Sequence, residues 1–206
     1  MMTKGARLGF VLLALAVMPA TSFAQWGATR LMTSPDALGR GQMEVRGYFS
    51  IAEEIDVFGV YRRGIGGNMD FGLRAGYTGY FDGGFHVGSD LRYELPVSGT
   101  QLQFALAGGF QASFMDIGNL IAVPFGVSIG ADVSTGERSV VVYALPFLEI
   151  DRFDPEGPGS DTEFEGGVEL GGEVEVNANW IANAVLSFSS HTDDNVHLAL
   201  GIIWRR

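Results

Sequence analysis

Glutamates recur at two- and four-residue spacings between residues 164 and 176, where the sequence reads Phe-Glu-Gly-Gly-Val-Glu-Leu-Gly-Gly-Glu-Val-Glu-Val. Side chains two residues apart in a β-strand share one face. Glu165, Glu169, Glu173 and Glu175 would therefore lie on one face of a strand whose other face is apolar. Such a carboxylate face can bind cations, pair with arginines or lie in water. Which of these applies depends on the elements that surround it.

The same two-residue period recurs from residue 42 to the C terminus. Ten alternating segments begin near residues 42, 55, 69, 85, 102, 120, 139, 164, 180 and 195. Most connections are short and rich in turn-forming residues, which suits antiparallel hairpins and leaves no room for crossover helices. The sequence predicts an all-β antiparallel meander of ten strands, with eight or twelve as alternatives.

Two segments fit the alternation less well. Arg62 and Arg63 are adjacent, so one of them must take the apolar side. Pro146 interrupts the segment that begins near residue 139, and the change of alternation there predicts a β-bulge. The acidic stretch from Arg152 to Glu163 is interpreted as the longest loop between strands.

The first 24 residues are predicted to be a secretory signal peptide. Lys4 and Arg7 precede an apolar run, and small residues precede the expected cleavage site before Gln25. Residues 25–41 do not alternate, and we expect a periplasmic lead-in or a segment inside the barrel. Residues 42–206 then form the barrel, and the chain is expected to reach the outer membrane through the periplasm.

The composition excludes several classes of function. Removing Lys4 and Arg7 from the 13 cations leaves 11 arginines against 24 acids, so the formal charge moves from −11 to −13. Such acidity argues against nucleic acid as a partner. The chain has no cysteine, so it can form neither disulfides nor thiolate zinc sites.

Three features favour a transmembrane β-barrel over a secreted sandwich. The segments run to about ten to thirteen residues, close to what a tilted strand needs to cross a bilayer. The polar side uses arginine rather than lysine, as expected where guanidinium groups pair with carboxylates in a narrow interior. Aromatic residues lie near segment ends on the apolar side, as in interfacial girdles. These aromatic residues are Phe49, Tyr77, Phe85, Tyr93, Phe114, Phe164, Trp180, Phe188 and Trp204.

The signal peptide, the glycine-rich alternating strands and the last-strand pattern resemble small outer-membrane β-barrel proteins, such as the OmpA-type transmembrane domain. The resemblance covers about residues 42–206. It implies an up-and-down barrel in the outer membrane of a Gram-negative-type envelope, in contact with lipid. It also implies that the barrel-assembly machinery binds the last strand, Val196 to Trp204, although Arg205 and Arg206 here follow the terminal aromatic residue.

The polar sides of the predicted strands form a candidate lumen network. Paired charges would close the lumen, with Glu165, Glu169 and Glu173 pairing across it with Arg46, Arg74 and Arg92. Unpaired carboxylates would instead make a narrow cation-preferring pore. Ten strands enclose little more than side chains, which favours the closed lumen. A pore would place its constriction at Asp90, Arg92, Glu169 and Glu173. The network residues are Glu44, Arg46, Asp70, Arg74, Asp90, Arg92, Glu94, Glu165, Glu169 and Glu173.

Catalytic and metal-binding patterns are scarce. Ser190 and His191 lie in an acidic turn and would suit a lipid-acting hydrolase only if an acid oriented the histidine. The acidic stretch from Asp151 to Glu165 lacks the spacing of a calcium loop, and His86 and His197 lack a third ligand. We therefore expect no catalytic residue, metal or cofactor. The sequence favours a non-enzymatic structural or surface-interaction role, with a narrow channel or a lipid-acting enzyme as alternatives.

Overall fold

The structure is a computed structural model that describes residues 31–51, 55–79, 83–134, 138–190 and 196–206. The predicted signal peptide at 1–24, residues 25–30 and His191 lie outside the described residues. None of the described residues belongs to a helix that is long and apolar enough to span a membrane.

Ten strands form the fold, and each pairs antiparallel with the next along the chain. β10 returns to pair with β1, from Glu44 and Arg205 to Ile51 and Leu198. The sheet is a closed up-and-down barrel, which confirms the predicted fold class and strand number. The strands are β1 (Met43–Ile51), β2 (Ile55–Gly64), β3 (Met69–Thr78), β4 (Gly84–Leu95), β5 (Leu102–Met115), β6 (Gly118–Asp132), β7 (Val140–Pro155), β8 (Asp161–Asn177), β9 (Trp180–Ser189) and β10 (Val196–Arg205).

The two ends of the barrel differ in what they carry. The terminal end holds the start of β1, the end of β10 and the connection between β8 and β9, whereas the far end holds the hairpin between β7 and β8. β7 and β8 are the longest strands, with 16 and 17 residues. The predicted loop from Arg152 to Glu163 is therefore wrong at both ends, because ladder pairing continues to Phe153 and Asp161.

Side chains alternate between the lumen and the exterior along the strands, as the period-two pattern requires. Arg62 is buried and its neighbour Arg63 is exposed, so Arg63 is the arginine on the apolar side. The predicted bulge at Pro146 is wrong, because β7 pairs with β8 in one register from Val140 to Phe153. The proline takes an exterior position of the strand, and the register shift lies instead in β8, between Glu175 and Asn177.

Candidate lumen site

The wall formed by β1 to β4 contains a continuous network of buried ion pairs. Arg62 joins two aspartates, with Nη1 at 2.5 Å from Asp70 Oδ1 and Nη2 in contact with Asp90 Oδ1. Arg92 Nη2 lies 2.6 Å from Asp70 Oδ2, and Arg74 Nη2 lies 3.1 Å from Asp90 Oδ2. Each aspartate therefore serves two arginines, which partly offsets the cost of burying these charges.

A second group of charges extends across the closing seam of the barrel. Glu44 accepts hydrogen bonds from Arg46 Nη2 at 2.5 Å and from Arg205 Nε at 2.6 Å. Arg46 Nη1 also lies 3.5 Å from Glu173 Oε1, which links β1 to β8 across the lumen. Arg92 differs from the sequence-based interpretation, because it pairs with Asp70 of the neighbouring strand rather than with a β8 glutamate.

Residues 31–38, called here the inner segment, lie inside the barrel and bond to both walls through backbone atoms. The Met32 N–H donates to Glu169 Oε2 at 2.8 Å, and the Leu38 N–H donates to Asp70 Oδ2 at 2.8 Å. Arg92 Nη1 donates to the Ser34 carbonyl at 2.7 Å. The carboxylates that would line an open pore therefore serve as hydrogen-bond acceptors for a segment of the same chain.

Apolar contacts complete the filling of the lumen. Leu31 packs with Leu145 and Phe147, and Met32 packs in a cluster with Tyr48 and Tyr143. These contacts and the backbone hydrogen bonds together fix the inner segment along most of its length. The inner segment and the side chains packed on it therefore occupy the middle of the lumen.

Lumen-facing glycines give the aromatic side chains room to lie flat against the wall. A Cβ atom built on Gly171 would come within 2.1 Å of the Tyr143 ring, and one on Gly201 within 2.6 Å of the Tyr48 ring. The same relation holds between Gly167 and Phe147, at 2.6 Å. The glycines on the polar side of β8 are therefore packing positions for rings of neighbouring strands.

The wall formed by β7 and β8 carries a cluster of three buried acids, Glu149, Asp151 and Glu165. One carboxylate oxygen from each lies within 4.8 Å of the others, a spacing that could hold a metal ion. The Ser189 hydroxyl donates to Glu165, and each of the three acids has further interactions in the protein. Asp151 and Glu165 belong to strands rather than to a loop, so the loop that was weighed as a weak calcium site does not exist in that form.

The structure places the predicted network residues as follows. Nine of the ten are buried in the lumen, and Glu94 is half-buried with its Oε2 accepting from the Ala37 N–H at 3.3 Å. They form two groups, one on β1 to β4 and one on β8, rather than a single ring. The buried residues are Glu44, Arg46, Asp70, Arg74, Asp90, Arg92, Glu165, Glu169 and Glu173.

Sequence reasoning missed several lumen residues. Glu149 and Asp151 were not assigned because the expected bulge at Pro146 put the alternation of β7 in doubt, whereas an unbroken period would have found both. Arg62 follows from the same rule once β2 is continued to its end. Asn183 is also buried, and its Nδ2 lies 3.4 Å from the Tyr143 hydroxyl.

His86, His197 and Ser190, which were candidates for metal binding or catalysis, lie in different parts of the barrel. His86 and His197 are both buried in the lumen, and His86 meets Phe58 edge-on at a ring distance of 5.8 Å. Ser190 is exposed at the far end, where its hydroxyl accepts from the Gly166 N–H at 3.2 Å. Because His191 lies outside the described residues, the geometry of a Ser190–His191 pair carries no argument for catalysis.

No protein-family model and no curated protein sequence matches the chain. Among solved structures, the N-terminal β-barrel domain of Pseudomonas aeruginosa OprF aligns at 11% identity over 82% of this chain and 100% of that chain, with a TM-score of 0.41. The KdgM porin aligns at 10% identity over 78% and 98% with a TM-score of 0.45, and the translocator domain of the autotransporter NalP from Neisseria meningitidis at 13% over 98% and 94% with a TM-score of 0.40.

The strand pairing makes this chain a closed antiparallel up-and-down barrel of ten strands. The resemblance stated from the alternating strands is therefore confirmed at the level of the fold. At such identities and TM-scores the assignment rests on the strand pairing of this chain, and nothing about its activity follows from the neighbours.

Proposed function

We propose that the protein is an outer-membrane β-barrel with a closed lumen and a non-enzymatic structural or surface-interaction role. The observation that carries the closed lumen is the inner segment, which bonds to Asp70 on one wall and to Glu169 on the other. A segment anchored on both sides leaves no continuous aqueous path through a barrel of this strand number.

The exterior of the barrel supports a place in lipid. Exposed apolar side chains occur on all ten strands, a surface far larger than soluble monomers leave open to water. A closed barrel satisfies its own backbone hydrogen bonds and so suits a bilayer. In this proposal residues 1–24 direct export, lipid surrounds the barrel, and the assembly machinery binds β10 from Val196 to Trp204. Examples of the exposed side chains are Val45, Val57, Leu73, Leu91, Leu106, Ile121, Val142, Leu170, Leu186 and Leu200.

The far end supplies the best-supported surface element. Asp161 to Glu165 pair with β7 but lie beyond Gly167 and Ser189, the last described pair between β8 and β9. Among the described residues, this part of β8 therefore pairs with β7 alone, and the hairpin presents acidic side chains such as Glu156 at the far end. Phe164 in this part of β8 is 79% exposed. We infer that this hairpin, rather than the lumen, makes the contacts of the protein at the cell surface.

The membrane part of the proposal is tested by fractionation and heat-modifiable migration. Washed membranes containing the full chain are run on a denaturing gel with and without boiling. We expect the protein in the membrane fraction, with a mobility that changes on boiling because a closed barrel resists detergent. A soluble protein with a single mobility in both samples would refute a membrane location.

The closed lumen is tested by conductance across a planar bilayer. The full chain is expected to give no stable conductance steps, whereas a variant lacking residues 31–38 is expected to conduct with preference for cations, because Glu169 and Asp70 are then exposed to water. A variant lacking residues 156–160 at the far end is the control and should stay closed. Conductance steps from the full chain as large as those from the variant lacking residues 31–38 would instead support the narrow-channel function.

A further inference from the structure

A cavity of about 240 Å³ opens at the terminal end, between the inner segment and the ends of strands β5 to β10. Four carboxylates and one guanidinium line it: Asp36, Asp132, Glu173, Glu175 and Arg205. Arg205 is already engaged, since its Nη1 lies 3.6 Å from Asp36 and its Nε lies 2.6 Å from Glu44 outside the cavity. The cavity therefore has an excess of negative charge that its own arginine does not balance.

Two acceptor oxygens in this cavity receive no hydrogen bond. Glu173 is 4% exposed, and its Oε1 lies 3.5 Å from Arg46 Nη1 without accepting a hydrogen bond from it. The Oε1 of Gln103 is also buried and accepts none. Buried acceptors without donors are costly, so both oxygens favour a ligand that brings N–H groups.

The arrangement of the acids argues against a chelated metal ion. Among the described residues, the one group of three carboxylates or histidines close enough to share a metal is Glu149, Asp151 and Glu165, and none of them lines this cavity. The acids here are instead spread from the buried Glu173 to the exposed Asp132 at the rim. Val141 and Ile181 supply apolar surface in the same cavity.

We propose that the cavity binds an aliphatic diamine or polyamine. One ammonium group donates to Glu173 and Gln103, the methylene chain contacts Val141 and Ile181, and a second ammonium group lies among the rim carboxylates. An ammonium group suits this role because it is a compact charge with three donors that can serve separate single acceptors. The site lies on the terminal side of the inner segment and does not depend on whether the lumen conducts.

Calorimetric titration of the full chain, folded in detergent micelles, tests the proposal with 1,4-diaminobutane as the probe. We expect saturable binding, and weaker binding of butylamine, which carries one ammonium group. Glu173→Gln is expected to lower the affinity for the diamine about tenfold or more, since it removes a charged hydrogen-bond acceptor. Glu156→Gln makes the same chemical change on the far-end hairpin and should leave the affinity unchanged.

A replacement variant and a competing cation complete the test of diamine binding. If Glu173→Gln does not fold, judged by heat-modifiable migration, Glu175→Gln at the exposed rim replaces it and should also weaken binding. Absence of saturable heat at millimolar diamine overturns the proposal. The proposal is also overturned if butylamine binds as tightly as the diamine, or if magnesium ions displace the diamine at equal concentration. It is overturned as well if Glu156→Gln lowers the affinity as much as Glu173→Gln does.

Discussion

The two sides of the lumen follow the same alternation of side chains but differ in how their charges are balanced. The wall of β1 to β4 buries four arginines, and Glu44, Asp70 and Asp90 on the same strands pair with them. The wall of β7 and β8 buries carboxylates and, within the residues that the structure describes, no arginine. Its buried acids are Glu149, Asp151, Glu165, Glu169 and Glu173.

The difference explains why a segment can be held between the walls. The β1 to β4 wall largely neutralises its own charge, because Asp70 and Asp90 each pair with two of its arginines. The β7 and β8 wall takes partners from outside itself: the Met32 N–H donates to Glu169, and the Arg46 guanidinium forms an ion pair with Glu173. A wall that lacks cations thus binds donors that the other side and the inner segment provide.

The largest effect is expected from breaking the arginine-rich wall at Arg62, which joins Asp70 to Asp90. Arg62→Met should lower the free energy of unfolding by about 3–5 kcal/mol, because it leaves two buried carboxylates with fewer cations. Urea unfolding of the barrel in lipid vesicles, followed by tryptophan fluorescence, measures the change.

Arg63→Met is the matched control, since Arg63 is the next residue and faces outward. It should leave the unfolding midpoint nearly unchanged. If both variants lose the same free energy of unfolding, the ion-pair network does not stabilise this wall. The two walls would then differ in composition but not in what stabilises them.

The β7 and β8 wall should instead be most sensitive to packing. Gly171→Ala is expected to cost about 1–3 kcal/mol, because the new methyl group meets the buried Tyr143 ring. Gly172→Ala is the control, since a Cβ there has its nearest neighbour, the Val141 carbonyl, at 3.9 Å. The same unfolding measurement applies. If Gly172→Ala costs as much as Gly171→Ala, the loss reflects strand conformation rather than the aromatic contact.

The barrel itself could be predicted because one physical rule determines it. A strand with lipid on one side and a packed interior on the other must alternate apolar and polar residues. A shift of its pairing register by one residue would place its charged side chains in lipid. The rule finds Asp70, Asp90 and Arg92 without any knowledge of their partners. It was misapplied at β7, where Pro146 was taken as the site of a β-bulge although an exterior proline is compatible with an unbroken register.

The inner segment could not be located by the same rule. Residues 31–38 bond mainly through the backbone N–H groups of Met32 and Leu38 and the carbonyl of Ser34, and every non-proline residue has these atoms. The positions of the Tyr48 and Tyr143 rings could not be predicted either, because the sequence does not indicate which aromatic side chain will lie against a given glycine. Pairing register, and not composition, brings Gly171 opposite Tyr143.

The smallest perturbation of stability comes from Ser34→Cys, which exchanges one atom at a fully buried position between the walls. The chain has no other cysteine, so the new thiol alone reacts with a maleimide. In the folded barrel its reaction should be at least about tenfold slower than that of Ser98→Cys in an exposed turn, since only opened molecules react. Mass spectrometry of timed samples gives both rates.

Access and reactivity can be separated in this experiment. Both variants should react at the same rate in denaturant, where neither thiol is buried. A slower reaction at residue 34 in the folded barrel then reports exclusion of the reagent rather than a difference in the thiols themselves. Rapid labelling in the folded barrel would mean that the inner segment leaves the lumen readily, and that the acid-rich wall finds its donors elsewhere.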